Sequence, residues 1–162
     1  MISLQPLGKV DSELLKWLAR ELEKKFDIKV ETNLELEIPK TCFDVRRGQY
    51  NSTCILMSFR VKNITLFITA EDIYADELNF IFGEAEIGGK KAIVSFYRLK
   101  SQDYELFKQR LLKESVHELG HVFGLSHCKK KGCVMNFSPS VIDVDKKTEN
   151  FCEDCLKKLK KK

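Results

Sequence analysis

Every histidine in this 162-residue chain falls in one short stretch: His117, His121 and His127. Two imidazoles four positions apart on a helix share one face, with roughly 5 to 6 Å between their Cβ atoms, close enough to bind one tetrahedral ion. The third cannot reach that ion along a straight helix, because ten residues rise about 15 Å whereas a zinc–nitrogen bond spans about 2.0 to 2.1 Å. The helix must therefore stop. Gly124 can adopt the left-handed conformation that ends a helix and swings the chain back, which brings His127 in as third ligand. Three protein ligands leave a fourth position open, and an open position separates a catalytic zinc from a closed structural one.

That open position holds a water whose pKa the ion lowers to about 7. Glu118 neighbours His117 but points off the ligand face, placed to take a proton from the water and pass it to a leaving amine. The span from His117 to His127 reads HExxHxxGxxH, the longer metalloprotease form of the motif, in which a histidine replaces a distant carboxylate ligand. Two competing readings are a structural zinc and helix histidines with no metal. A base beside the ligands and a glycine at the break both favour hydrolysis.

Four of the six cysteines follow at once. Cys128 and Cys133 form C-x4-C, and after an eighteen-residue spacer Cys152 and Cys155 form C-x2-C. Paired spacing of this kind marks a closed zinc site with four thiolate ligands. Two disulfides are the alternative, but Met1 to Val10 lacks the basic start and apolar core of a secretory signal, and a reducing cytosol disfavours disulfides. Cys42 and Cys54 are left over, and are expected to be buried apolar residues. Four thiolates on a divalent ion carry a net charge of minus two, which Lys129, Lys130, Lys131, Lys157 and Lys158 are placed to offset; a solvated lysine surface is the plainer account of them.

The string H-E-x-x-H-x-x-G-x-x-H-C-x4-C-x-M with a later C-x-x-C resembles the archaemetzincin family, zinc-dependent metallopeptidases of the metzincin clan that carry a second zinc on four cysteines. The match is close from His117 to Cys155, and Gly88 to Leu99 (GGKKAIVSFYRL) also resembles the family's substrate-side strand and its return. The resemblance implies that His117, His121 and His127 bind the catalytic zinc, that Glu118 is the general base and that Met135 forms the Met-turn beneath the metal. It implies that Cys128, Cys133, Cys152 and Cys155 bind the second ion. Several other metzincin families place a tyrosine two residues after the methionine as extra ligand or oxyanion stabiliser. Here Phe137 stands there, which leaves that task to the ion, to backbone groups or to another residue. By the same analogy, Gly83 to Ile87 is an exposed edge to which an extended peptide adds. The plainer reading is an ordinary edge strand guarded by Glu84 and Glu86.

Composition suits one small enzyme: 43% hydrophobic and 32% charged residues fit a single soluble domain with an ordinary core. No apolar run approaches the roughly 18 residues a membrane span needs. The net charge is +4, but Leu156 to Lys162 holds five of the 28 basic residues; without them 23 face 24 acidic ones, so the body is nearly neutral. The tail is expected to be frayed and solvated rather than a nucleic-acid or membrane contact. The expected protein is a cytoplasmic monomer with two zinc ions that hydrolyses peptides or unfolded segments, as endopeptidase or aminopeptidase, with no nucleic-acid or membrane partner. A peptide-binding or zinc-handling protein with little turnover is the alternative, and a nucleic-acid module built on the four-cysteine unit is a third reading.

The elements that must position these residues are an alternation of strands and helices. Met1 to Leu7 reads as a strand, and a helix capped at Asp11 or Ser12 carries Leu14, Leu15, Trp17, Leu18, Leu22 and Phe26 at helical spacing. Ile28 to Leu36 alternates as a second strand ended by Pro39, Gln49 to Arg60 reads as a helix, and Ile64 to Thr69 as a buried strand. Asn79 to Ala85 and Ala92 to Arg98 are strands joined across Gly88-Gly89, followed by the long active-site helix Asp103 to Gly124. Beyond it little patterning returns until Glu149 to Lys158. The expected fold is α/β and metzincin-like: a mostly parallel sheet with one antiparallel edge strand, packed with helices, plus a small irregular zinc-stabilised C-terminal subdomain. Residues 1–162 form one domain, divided at the cleft into an N-terminal part, 1–124, and a C-terminal part, 125–162. Asn136 to Ser140 are expected to wall the pocket beyond the scissile bond.

Overall fold

A computed structural model describes residues 1–160. In chain order it contains β1 (Ile2–Leu7), α1 (Ser12–Phe26), β2 (Val30–Thr32), β3 (Phe43–Asp44), β4 (Gln49–Asn51), α2 (Ser52–Met57), β5 (Ile64–Thr69), β6 (Ile73–Tyr74), β7 (Gly83–Ala85), β8 (Lys91–Ser95), α3 (Tyr104–Val122), α4 (Val141–Lys146) and α5 (Glu153–Lys160). Five strands make the main sheet in the order β2-β1-β5-β8-β7. All neighbours in it run parallel except β7, which returns antiparallel on β8 with Glu84 opposite Ile93.

Both faces of this sheet are covered, as a parallel sheet requires, so all six residues of β1 are buried. Alternate residues serve the two faces. Ile2, Leu4, Leu66, Ile68, Ala92 and Val94 pack under α1 and α3, while Leu7, Phe67 and Ile93 point the other way and meet Ile55, Leu56 and Ile73. Helix α1 starts where the Asp11 carboxylate accepts the Leu14 N–H, and ends at Asp27, which is left-handed at φ 54°. Its buried stripe, Leu14, Leu15, Leu18 and Leu22, is the spacing read from sequence.

Several boundaries differ from the sequence reading. The second strand pairs over only Val30–Thr32, because the following residues are tied down one at a time: the Gln5 side chain donates to the Leu34 carbonyl, and Leu36 bridges Leu7. The helix expected from Gln49 covers only Ser52–Met57; Gln49–Asn51 is instead a strand, and Asn51 caps the helix by accepting the Cys54 N–H. A second sheet, β3-β4-β6, was not expected; its Tyr50 and Ile73 pack with α2 against the Leu7, Phe67 and Ile93 face of the main sheet. The strand expected from Asn79 pairs only over Gly83–Ala85, and the one from Ala92 runs Lys91–Ser95. Helix α4 went unread, since six residues are too few to show a period. Cys42 and Cys54 are not separate apolar residues: they form a disulfide that ties the turn before β3 to the first turn of α2. The basic tail continues as α5 as far as Lys160, and Lys161 and Lys162 lie outside the described residues. Among the described residues no helix is long and apolar enough to cross a membrane.

Candidate metal centre and substrate cleft

Helix α3 is capped by Asp103, buries Phe107, Leu111 and Leu112 on one flank and then every residue from Glu114 to Val122, and at its end it carries His117 and His121, 4% and 7% exposed. Helical bonding stops at Phe123, and Gly124 is left-handed at φ 97°, so that the Gly124 N–H donates back to the His121 carbonyl and the Leu125 N–H to that of Gly120. This is the break the spacing demanded. It brings His127 round to the other two rings, with ring centres 4.8, 5.3 and 4.9 Å apart, and one nitrogen of each ring falls within 4.8 Å of the others.

The donor set fits a divalent ion. His117 Nδ1 lies 2.8 Å from the Val134 carbonyl oxygen and His121 Nδ1 2.7 Å from that of Leu125, and since a carbonyl only accepts, both Nδ1 atoms carry the proton. The Nε2 lone pairs are thereby left for coordination. Burial pushes all three imidazoles below their ordinary pKa, the neighbouring Lys147 adding to the effect, and neutral imidazole is the ligating form.

Glu118 faces the same cleft. Burial raises its pKa well above the ordinary carboxyl range, the Glu114 charge raises it further and Lys147 pulls it back. The closeness of β7 also constrains it. A Cβ on Gly83 would fall 2.7 Å from Glu118 Cγ and 2.6 Å from the Ile93 carbonyl oxygen, so only glycine lets the edge strand approach the carboxylate this closely. Beneath the helix, Met135 is fully buried, and a Cβ on Gly120 would meet its sulfur at 2.5 Å. The glycine inside HELGH thus makes room for the methionine. Phe137 is more than half exposed, its ring 5.3 Å from that of His127.

The four cysteines also converge. Cys128 and Cys152 sulfurs lie 3.8 Å apart, as do those of Cys133 and Cys155, and all four are within 4.8 Å of one another. Tetrahedral zinc–sulfur bonds of about 2.3 Å put sulfurs about 3.8 Å apart, so this set fits such an ion as it stands. Backbone N–H groups of Lys130, Met135 and Cys152 point at sulfurs, which suits thiolates. Burial opposes ionisation of Cys152, but hydrogen bonds from Cys155 and the neighbouring thiols bring its pKa down to about 7. Of the lysines read as charge compensation, Lys130 reaches Asp154 at 3.8 Å and Lys157 reaches Glu153 at 3.7 Å.

Two further groups escaped the sequence reading. Lys147, just past α4, sends its ammonium to Glu114 Oε2 at 2.8 Å, to the Asn136 carbonyl at 3.1 Å and to within 3.5 Å of His117 Nδ1. It joins the C-terminal part of the chain to α3 directly under the first histidine. On the other side, the Glu84 carboxylate accepts from the hydroxyls of Ser52 and Thr53, which fixes the edge strand to the start of α2. Glu114 shows one helical turn before His117, but nothing in the sequence around Lys147 or Ser52 points to their partners. The cleft itself is a cavity of about 700 Å³ bounded by the three histidines, Glu118, the β7 strand and Phe137 to Pro139.

A mixed sheet with an antiparallel edge strand, a long helix broken at a glycine between the second and third histidines, and a buried methionine below them define a protein of the metzincin type. The sequence profile of peptidase family M54 matches residues 25–161. Archaemetzincin from Methanocaldococcus jannaschii is 47% identical over 98% of this chain and 92% of its own. The crystal structure of archaemetzincin from Archaeoglobus fulgidus, complexed with malonate, superposes with a TM-score of 0.92 at 46% identity, covering 97% of this chain and 98% of that one. A zinc-dependent peptidase from Methanocorpusculum labreanum gives 0.87 at 27% identity, covering 98% of this chain and all of that one. The chain belongs to the archaemetzincins, peptidase family M54, and is a zinc metallopeptidase.

Proposed function

We propose that this chain hydrolyses peptide bonds at a zinc held by His117, His121 and His127, with Glu118 as general base and a second zinc held by Cys128, Cys133, Cys152 and Cys155. When bound at the histidines, zinc supplies Lewis acidity toward a carbonyl oxygen and lowers the pKa of a water. The chain's own residues do the rest. The Val134 and Leu125 carbonyls hold two rings in one tautomer, so the ligand geometry is set before any ion arrives. Glu118 takes a proton at its carboxylate and returns it to the leaving amine, and burial, by raising its pKa above the ordinary carboxyl range, makes the carboxylate a stronger base.

Beside it, β7 offers the peptide a strand edge, which positions the scissile bond along the same cavity wall as Glu118. Phe137 to Pro139 form the opposite wall. The chain up to Gly124 and the chain beyond it act as the two sides of this cleft, with Met135 packed beneath the histidine-bearing helix at Gly120. The observation that carries the reading is the convergence of three imidazoles, two of them locked in one tautomer, on one cavity with a buried carboxylate.

The test compares wild type with Glu118→Gln, both metal-quantified, on a diverse peptide library read by mass spectrometry. Two zinc ions per chain and cleavage by wild type that falls at least about a hundredfold in the variant are expected. Equal cleavage by the two proteins would remove Glu118 from the mechanism.

A further inference from the structure

Strand β7 presents different chemistry on its two faces. Gly83 and Ala85 sit opposite Val94 and Ala92, which face α3, the side on which Glu118 touches Gly83. Glu84 sits opposite Ile93, which faces α2, and there it is held by Ser52 and Thr53. A peptide added to this edge inherits the alternation: its residues point in turn toward the histidine side and toward the α2 side.

On the α2 side the cleft does not close. A second concavity of about 950 Å³ shares Thr53 and Asp76 with the catalytic cavity, so the two meet at the end of α2 that holds Glu84. Its walls include Phe43, Val45, Met57 and Tyr74 alongside the charged Asp44, Arg46 and Asp76. Three of these are large apolar side chains left open to solvent, at 41% for Phe43, 84% for Val45 and 79% for Met57. Neighbouring apolar groups exposed together mark a surface that another apolar group covers. The shape is held firmly. The Cys42–Cys54 disulfide lines the concavity and links its two sides, and the Phe43 ring packs on Tyr50 at 4.9 Å.

We infer that this concavity is a substrate subsite, which receives a large apolar side chain of an extended peptide at a position whose side chain points to the opposite face from those beside Glu118. The inference rests on the peptidase reading above and adds a specificity to it. Its occupant is a peptide already lying on β7, because the concavity is continuous with the cleft and the alternation of a strand delivers every second side chain to it. Cleavage sites therefore carry a preference for leucine, phenylalanine or methionine at one fixed distance from the scissile bond, separate from any preference set by the pocket at Phe137 to Pro139.

The test uses metal-loaded wild type, Met57→Lys and Val45→Lys, with folding confirmed by circular dichroism, on the same peptide library. Wild type is expected to cleave a peptide bearing leucine at the enriched position about tenfold faster than its twin bearing serine there, the size expected from partial burial of one apolar side chain. In both lysine variants that ratio falls toward one and glutamate-bearing peptides gain. Cleavage by wild type with no apolar enrichment at such a position, or an enrichment that both variants retain, overturns the subsite while leaving the peptidase reading intact. Cleavage that Glu118→Gln matches, or no cleavage by wild type, overturns the peptidase reading and the subsite with it.

Discussion

Replacing Lys147 by methionine removes the cation from a pair that is sealed from water, with 1% of the Lys147 side chain and 4% of the Glu114 side chain exposed and 2.8 Å between nitrogen and oxygen. Methionine fills most of the lysine stem's space, so the chief loss is electrostatic: a carboxylate stays buried without its partner, and the Asn136 carbonyl loses a donor. Breaking a buried pair from one side costs about 3 to 5 kcal/mol, whereas exchanging both partners for apolar residues is often close to neutral. With a urea slope of about 2 kcal/mol per molar, Lys147→Met should lower the unfolding midpoint by about 2 M at equal zinc content, and Glu114→Met/Lys147→Met by less than about 1 M.

The pH dependence has a definite sign. Burial raises the Glu114 pKa and Lys147 opposes that rise, so without Lys147 the folded-state value climbs further above the unfolded one. Between those two values the folded chain binds more protons than the unfolded chain, so stability falls as pH rises through the window and returns in acid. The deficit of Lys147→Met relative to wild type should therefore shrink from pH 7 to pH 5. A midpoint shift below about 0.5 M, a deficit that does not change with pH, or a double variant as unstable as the single one would refute the reasoning.

Gly83→Ala places a methyl against the Ile93 carbonyl and the Glu118 side chain, and the backbone oxygen cannot yield; stability should drop by about 1 to 3 kcal/mol and peptide cleavage by more than about tenfold, read by denaturation and by the library assay. Cys42→Ser/Cys54→Ser removes a cross-link with a sequence separation of 12, which should cost about 3 kcal/mol by loop entropy and be visible as a lower urea midpoint under non-reducing conditions. Removing the ion proposed at the four cysteines should raise amide exchange around Cys128–Cys133 and Cys152–Cys155 while β1, β5 and β8 stay protected, because the ion would tie these two cysteine pairs together whereas Val134, Met135, Val144 and Phe151 remain packed in the main core; uniform exchange across the chain would contradict this.

What could be read from sequence was what repeats at short range. The α1 stripe, the buried strands β1 and β5, the turn at Gly88 and the helix that carries His117 and His121 each declare themselves within one period or one cap, and each lies where expected. The parts that went unread are too short to show a period. Strands β3, β4 and β6 have two or three residues each, so even the strand-favouring Ile73–Tyr74 pair is too short to show alternation, and these strands are defined by their pairing with one another. The disulfide failed for a different reason: excluding disulfides by compartment discarded Cys42 and Cys54 along with the four clustered thiols, although only the four have metal-ligand spacing.

The same division runs through the site. Ligand spacing is a property of eleven consecutive residues, so the three histidines, the carboxylate and the glycine could be placed on paper, and the structure brings the three rings together around a left-handed Gly124. Their surroundings come from distant chain. Val134 fixes one ring's tautomer, Lys147 reaches the helix from thirty residues beyond His117, and Gly83 admits the edge strand to Glu118. Each of these is an unremarkable residue type in its own segment, and each acquires its role only through a contact across the cleft. A motif therefore names the groups that can do the chemistry, while the strength of the site rests on partners that only the folded chain selects, which is why Lys147 and Gly83 are the more searching places to perturb it.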